Sequence, residues 1–294
     1  MKQIFYLLAI LLTGMASCSS PKEKLLIACG DDKVVIIDAG KSTEDSTHIV
    51  WRWQVSEAVS QLPPECQKLM VPLDECKPVN EGKEILLTSS GGGALLLDKE
   101  TKECRFYAYV PMAHSIEMLP GGRIAIALST HPKGNSLELY DVDKPEQVLF
   151  RDSLYSGHGV VWMEEKQRLY VLGFDELRAY ALAQWETDSP SLQLEKTWKL
   201  PIEDGHDLVR ISDHELGFSG YEDVYKFDLT DEAFALFSPM QGKKDIKSFN
   251  YDVQTGYLVY TQAEIDWWTH HIYIEQPTKV LTVKDINLYK VRTF

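Results

Sequence analysis

Apolar residues along this chain fall into short runs separated by polar turns, which is the pattern of β-strands rather than of amphipathic helices. Four similar stretches each precede such a group of strands: Ala113 to Glu117, Gly157 to Val160, Gly205 to Leu208 and Ile246 to Phe249. The second residues of these stretches lie 44, 48 and 41 positions apart. A period of about 40 to 45 residues with four strands per unit is typical of propeller blades, so we predict a β-propeller.

The strand pattern predicts six blades over residues 25–294, in one domain. The first blade lacks one strand, because no strand precedes Leu25 after the N-terminal segment, whereas Leu288 to Phe294 forms a strand without a sheet. An open ring would leave unpaired backbone edges. We therefore predict an all-β, six-bladed propeller whose ring is closed by the C-terminal strand.

The N-terminal segment has the pattern of a secretory signal. Lys2 precedes an apolar run that is too short to span a bilayer, and small residues precede Cys18. A cysteine in this place resembles the lipidated residue of bacterial lipoproteins. We therefore expect a signal peptide over residues 1–17, a lipidated tether over residues 18–24, and an exported protein anchored on the periplasmic side of a membrane.

Composition restricts the partners. The chain carries a net charge of −14, which argues against nucleic acid and anionic lipid surfaces as partners. We expect a monomer that contacts the membrane only through its lipid anchor. If two cysteines pair in an exported protein, we favour Cys66 and Cys76, which flank an irregular segment; the other reading is that all four cysteines after Cys18 are small buried thiols.

Polar residues recur where each predicted blade begins. The first strand of a blade is innermost, so His114, His158, His206 and Lys247 should converge on the axis at one end, with Glu75 or Cys76 in blade two. The loops between second and third strands should reach the same face, and they contain Asp31, His131, Asp175, Glu222, Trp267, Trp268 and His270. A concave face with a few convergent polar groups is the default place for a ligand.

Three readings of the histidines remain open. Three neutral imidazoles could hold a divalent metal with an open position, and Glu117 and Asp207 could orient the rings. This arrangement resembles the axial histidines of some propeller-built polysaccharide lyases, which would make the protein a metal-dependent lyase or hydrolase. The same histidines could instead bind a ligand without metal, or line a water-filled channel.

The paired tryptophans Trp267 and Trp268 favour a carbohydrate or a related polyol acid as ligand. Tryptophan offers a large apolar face to a sugar ring, carboxylates can accept from its hydroxyls, and Lys247 could bind a carboxylate. The carboxylates that we expect to do so are Asp31, Asp175 and Glu222. The alternative is a protein-interaction scaffold whose partner is gripped by the tryptophans.

Several segments resemble an uncharacterised family of secreted bacterial six-bladed propeller lipoproteins. These segments are Asp74 to Val79, Ser89 to Gly93, His114 to Glu117, His158 to Trp162 and Trp267 to His271. The resemblance implies the fold over nearly the whole chain after the signal and implies no activity. Whether the protein is an enzyme is left open by the sequence.

Overall fold

The computed structural model describes residues 24–58 and 60–294. The predicted signal peptide, the lipidation at Cys18 and all of the tether except Lys24 lie outside the described residues. Within the described part of the chain, no helix is long and apolar enough to cross a membrane.

The first half of the described chain forms the first three sheets. Their strands are β1 (Leu25–Gly30), β2 (Lys33–Asp38), β3 (Ile49–Gln54), β4 (Leu73–Val79), β5 (Glu84–Ser89), β6 (Gly93–Asp98), β7 (Cys104–Tyr109), β8 (Ala113–Leu119), β9 (Arg123–Leu128), β10 (Ser136–Asp141) and β11 (Phe150–Ser153). Blade one contains β1 to β3, blade two β4 to β7, and blade three β8 to β11.

The second half adds three more sheets and one final strand. Its strands are β12 (Gly159–Met163), β13 (Arg168–Leu172), β14 (Glu176–Ala183), β15 (Ser191–Lys199), β16 (Asp207–Arg210), β17 (Glu215–Ser219), β18 (Val224–Asp228), β19 (Ala233–Leu236), β20 (Ile246–Asp252), β21 (Tyr257–Gln262), β22 (His271–Glu275), β23 (Lys279–Thr282) and β24 (Leu288–Thr293). Blades four, five and six take β12 to β23 in groups of four.

The last strand closes the ring, as predicted. Strand β24 pairs antiparallel with β1, and the blade-one sheet has the order β24-β1-β2-β3. The innermost strands β24, β4, β8, β12, β16 and β20 contact one another in this circular order. The protein is therefore an all-β six-bladed propeller, and every innermost strand has a partner on each side.

The hydrophobic core is divided among the six spaces between adjacent blades. The cluster between blades five and six, for example, joins Val209 and Phe237 to Phe249 and Leu258. Strands in the middle of a blade are covered on both faces, and β5 is accordingly buried along its whole length. Outer strands keep the alternation of a half-exposed strand, as in β3.

The segment that joins blade one to blade two contains two short helical turns. A 3₁₀ turn over Val55–Ala58 precedes α1 (Pro64–Leu69), which begins at a proline, where the missing N–H costs nothing. A Cβ added at Gly91 would lie 2.4 Å from the Val71 carbonyl oxygen, and one at Gly93 would lie 2.3 Å from the Met70 Sδ. The absence of side chains at Gly91 and Gly93 therefore lets the end of the helical segment, at Met70 and Val71, pack close to the backbone of blade two.

Cys66 and Cys76 do not form a disulfide, and the reading as small buried thiols is the one observed. Both residues are buried, as is Cys29, and all four cysteines of the described residues are free thiols. Cys66 and Cys76 lie in the hydrophobic cluster between blades one and two, where burial raises the pKa of both thiols. They act there as small apolar residues.

Candidate functional site

Six side chains, one from each blade, surround the axis where the innermost strands begin. We call this set the mouth ring, and it consists of Tyr289, Asp74, His114, His158, His206 and Lys247. In four blades the sheet register shifts around the ring residue, which leaves it bulged out of the ladder. His158 and His206 directly precede their strands. A bulge re-aims a side chain, so each blade presents one residue to the channel mouth.

A cavity of about 450 Å³ opens at this end of the channel. Five of the six mouth-ring residues line it, and Lys247 packs against two of its aromatic rings. The remaining lining comes from the loops at the same face: Ser90, Met112, Ser129, Thr130, Ser156, Phe174, Asp204, Gly205, Tyr221, Trp267 and Trp268. The predicted convergence of histidines and tryptophans on one face is therefore observed.

Hydrogen bonds set the tautomers of two histidines. The Nδ1 of His114 lies 3.0 Å from the Met112 carbonyl oxygen, and the Nδ1 of His158 lies 2.8 Å from the Ser156 carbonyl oxygen. Because a carbonyl only accepts, each Nδ1 carries the hydrogen and each Nε2 carries a lone pair. Neither Nε2 has a hydrogen-bond partner among the described residues. The cavity wall thus presents two imidazole acceptors.

The third histidine is engaged differently, and all three are uncharged. The Nε2 of His206 lies 2.9 Å from the hydroxyl oxygen of Tyr289. Burial lowers the pKa of His158 to about 4, and burial together with neighbouring charges holds the pKa of His114 and His206 well below the usual range. The neighbouring ammonium groups of Lys290 and Lys247 contribute in the same direction.

The three imidazoles lie close together but do not form a three-ligand metal group. Their ring centroids are 4.5 Å apart between His114 and His158 and 5.0 Å apart between His158 and His206. Only the first two present a free Nε2, since Tyr289 occupies that of His206. In the part of the chain that the structure describes, no three His, Cys, Asp or Glu side chains are placed to hold a metal ion.

The two tryptophans have different environments. Trp267 is 51% exposed, and its ring lies beside Tyr221 with centroids 6.4 Å apart. Trp268 is half-buried and meets the Tyr289 ring edge to face at 5.6 Å. Trp267 is therefore the open aromatic face of the site, whereas Trp268 supports Tyr289.

Four buried charges form the floor below the mouth ring. We call them the charge quartet: Glu75, Asp207, Lys290 and Arg292, whose side chains are at most 5% exposed. The Lys290 Nζ lies 2.9 Å from Asp207, and the Arg292 guanidinium bridges Glu75 at 2.6 Å and Asp207 at 2.7 Å. Burial alone would raise the pKa of both carboxyls, but the two cations outweigh it and lower both.

The predicted orienting roles of Glu117 and Asp207 are wrong. Asp207 directs its carboxylate to Lys290 and Arg292 rather than to an imidazole. Glu117 lies at the other end of the channel, where it pairs with Lys77 at 3.2 Å and borders a separate depression of about 280 Å³. A strand rises about 3.3 Å per residue, so Glu117, three residues beyond His114, lies roughly 10 Å further down the channel. Backbone carbonyls orient His114 and His158 instead, and the Tyr289 hydroxyl contacts His206.

Five loop residues that we predicted at the site do not line the cavity. Their partners are polar groups of their own loops or neighbouring blades: Asp31 accepts from Asn287, Asp175 pairs with Lys199, Glu222 with Lys244, His131 accepts from the Lys133 N–H, and His270 donates to the Ile286 carbonyl oxygen. The carboxylates that do line the cavity are Asp74 and Asp204.

Asp74 and Tyr289 are the mouth-ring residues that the sequence analysis missed. The blade-two position was assigned to Glu75 or Cys76, although Leu73, Asp74 and Glu75 match Ala113, His114 and Ser115 in register. Strand β24 was treated as a closing edge, yet it is the innermost strand of blade one. Aligning the starts of all six innermost strands would have found both.

Comparison with known proteins supports the fold. One similar solved structure is titled "Crystal structure of Myceliophteria_thermophila Cps50 (Swd1) beta-propeller domain"; the match has a TM-score of 0.57 and 11% identity and covers 82% of this chain and 76% of that one. Because 1386 chains of solved structures match, the likeness identifies the architecture and no function. No curated protein matches the sequence.

A family model gives the more specific result. It is described as a family of unknown function, DUF6528, and it matches residues 16–294. The match spans all six blades and therefore includes every residue of the mouth ring and of the charge quartet. The chain belongs to this family of unknown function.

Proposed function

We propose that the protein binds a small ligand of the carbohydrate class in the cavity at the mouth ring. The observation that supports this most is the tautomeric state of His114 and His158, whose free Nε2 atoms can only accept hydrogen bonds while they are neutral. Asp74, Asp204 and several hydroxyls add further acceptors. A cavity lined by hydrogen-bond acceptors favours a ligand with many hydrogen-bond donors, such as the hydroxyl groups of a sugar.

Trp267 supplies the second requirement of a sugar site. Its half-exposed ring stands at the rim of the cavity and is large enough to cover the apolar face of a pyranose. The cavity volume of about 450 Å³ lies within the range of small-ligand sites. Acceptors at the bottom and an aromatic face at the rim match the two kinds of surface that a sugar has.

Replacing Trp267 with alanine is expected to weaken sugar binding about tenfold or more, because the stacking surface is lost. A glycan panel read by thermal shift identifies a ligand, and titration calorimetry on wild type and Trp267→Ala measures the loss. Trp185→Ala is the matched control, since Trp185 lies on the outer rim of blade four and donates to the Pro120 carbonyl oxygen. Equal binding by the Trp267 variant would contradict the proposal.

The two alternative functions, a metal-dependent enzyme and a protein-interaction scaffold, predict different results for the purified protein. Stoichiometric metal in protein prepared without chelators, lost on replacing His114, His158 and His206 together by alanine, would favour a metal-dependent lyase or hydrolase. A panel in which no glycan shifts the wild type would favour a protein-interaction scaffold, with Trp267 and Tyr221 as exposed contact residues.

We also propose that the protein is exported and lipid-anchored through Cys18. The support is the signal pattern before that residue and its small preceding side chains. Replacing Cys18 with alanine should move the protein from the membrane fraction to the soluble exported fraction, as judged by fractionation of cells. A variant that stays in the membrane fraction would contradict the anchor, and Ser19→Ala serves as the matched control.

A further inference from the structure

Lys247 is the one mouth-ring residue that carries a full positive charge. Its side chain is 2% exposed, and its Nζ lies 4.9 Å from the centroid of the Trp267 ring and 5.1 Å from that of Tyr221. Within the described residues, Nζ makes no hydrogen bond and no ion pair. The Nζ atom itself is not fully shielded from solvent. The ammonium therefore lies against two aromatic rings of the cavity wall, with no hydrogen-bond acceptor or counter-ion among the described residues.

Lys290, the other lysine of the channel, has a full set of polar partners. Lys290, one layer deeper, has Glu75 at 3.3 Å, Asp207 at 2.9 Å and the His114 carbonyl oxygen at 3.2 Å. Lys247 is nearly as buried and has none of these. A buried charge without a counter-ion is costly, so the missing partner is significant.

The carboxylates nearest to Lys247 do not supply that partner. Asp245 and Asp204 act on it at longer range, and the Asp204 carboxylate accepts the Tyr221 N–H at 2.6 Å. Burial is the stronger influence and lowers the pKa of Lys247 to about 8. An anion placed over the rings of Tyr221 and Trp267 would meet the ammonium directly.

We propose that the ligand is an acidic sugar, and that Lys247 selects it by binding its carboxylate. This inference rests on the proposed carbohydrate function. A single ammonium matches a single negative charge. A phosphate dianion would require a second cation, and the described residues that line the cavity include no Lys or Arg. A uronic acid places its one carboxylate on the ring that Trp267 would stack against.

Matched pairs of sugars test the proposal. Calorimetric titrations compare glucose with glucuronate and galactose with galacturonate on wild-type protein. We expect the uronate of at least one pair to bind roughly 10- to 100-fold more tightly than its neutral parent, as a charge-assisted hydrogen bond would give. Lys247→Met should abolish the preference, so that each uronate and its neutral parent bind the variant with similar affinity.

Two further variants sharpen the result. Lys244→Met is the matched control, because Lys244 lies three residues before Lys247, is exposed and pairs with Glu222, so its loss should leave the preference intact. Lys247→Arg keeps the charge and should keep the preference, which covers the case in which the methionine variant fails to fold. Equal affinities within every pair, or a preference that survives in Lys247→Met, would overturn this inference alone. Failure of every sugar to bind would overturn the proposed function itself.

Discussion

Replacing Arg292 with methionine is expected to lower the free energy of unfolding by about 3–5 kcal/mol, the usual cost of removing one partner of a buried ion pair. Arg292 donates to both Glu75 and Asp207, which lie on blades two and five, and the side chains of both acids are 0% exposed. Without the guanidinium, two carboxylates would share the single ammonium of Lys290. Urea denaturation followed by tryptophan fluorescence measures the change.

An arginine at the surface provides the comparison for Arg292. Arg210 also contacts two acids, Glu165 and Asp213, but its side chain is 40% exposed. Exposed ion pairs contribute about 0–1 kcal/mol, so Arg210→Met should change stability little. Similar losses for the two variants would mean that the charge quartet contributes no more than a surface pair, and that ring closure depends on the β24 backbone pairing alone.

Replacing Asp74 with asparagine is expected to stabilise the protein at neutral and higher pH. Burial raises the pKa of Asp74 from 3.8 to about 7, and the Ser90 N–H that donates to it only partly offsets this. Between these two values the folded state binds more protons than the unfolded state, so the contribution of Asp74 to stability falls as the pH rises. Asparagine stays neutral and can still accept from Ser90.

The size and shape of the Asp74 effect follow from that difference in pKa. The variant should match wild type near pH 4, gain over it as the pH rises, and reach a plateau above pH 7 of up to ~4 kcal/mol. Denaturation midpoints of both proteins across this range give the difference. Asp188→Asn, in the exposed loop of the outer rim, should give a flat difference. A flat difference for Asp74→Asn as well would show that its carboxyl is not held in the neutral form.

The blade count and the ring closure could be predicted because both follow from local patterns. Each blade needs an apolar innermost strand and a tight turn, and that requirement repeats in sequence wherever it repeats in space. The missing strand of blade one and the surplus strand Leu288 to Phe294 could be matched by counting alone. No long-range contact had to be known for either step.

The residues of the cavity were only partly predictable, and the wrong assignments share one cause. His114, His158 and His206 were found because they occupy the same place in adjacent repeats. Glu117 and Asp207 were assigned to the wrong neighbours, because sequence spacing does not say which end of a channel a side chain reaches. The partners that decide this come from other blades.

The sequence by itself determined the architecture, the number of blades and the place in the repeat of four of the six mouth-ring residues, which are His114, His158, His206 and Lys247. These features depend on periodic burial, which is a local property. The tertiary structure alone decided which charges neutralise one another: Arg292 meets Glu75 and Asp207 across more than eighty residues of chain, whereas Lys247 meets only aromatic rings. Electrostatic pairing depends on distance in space, and at a propeller axis six distant segments meet.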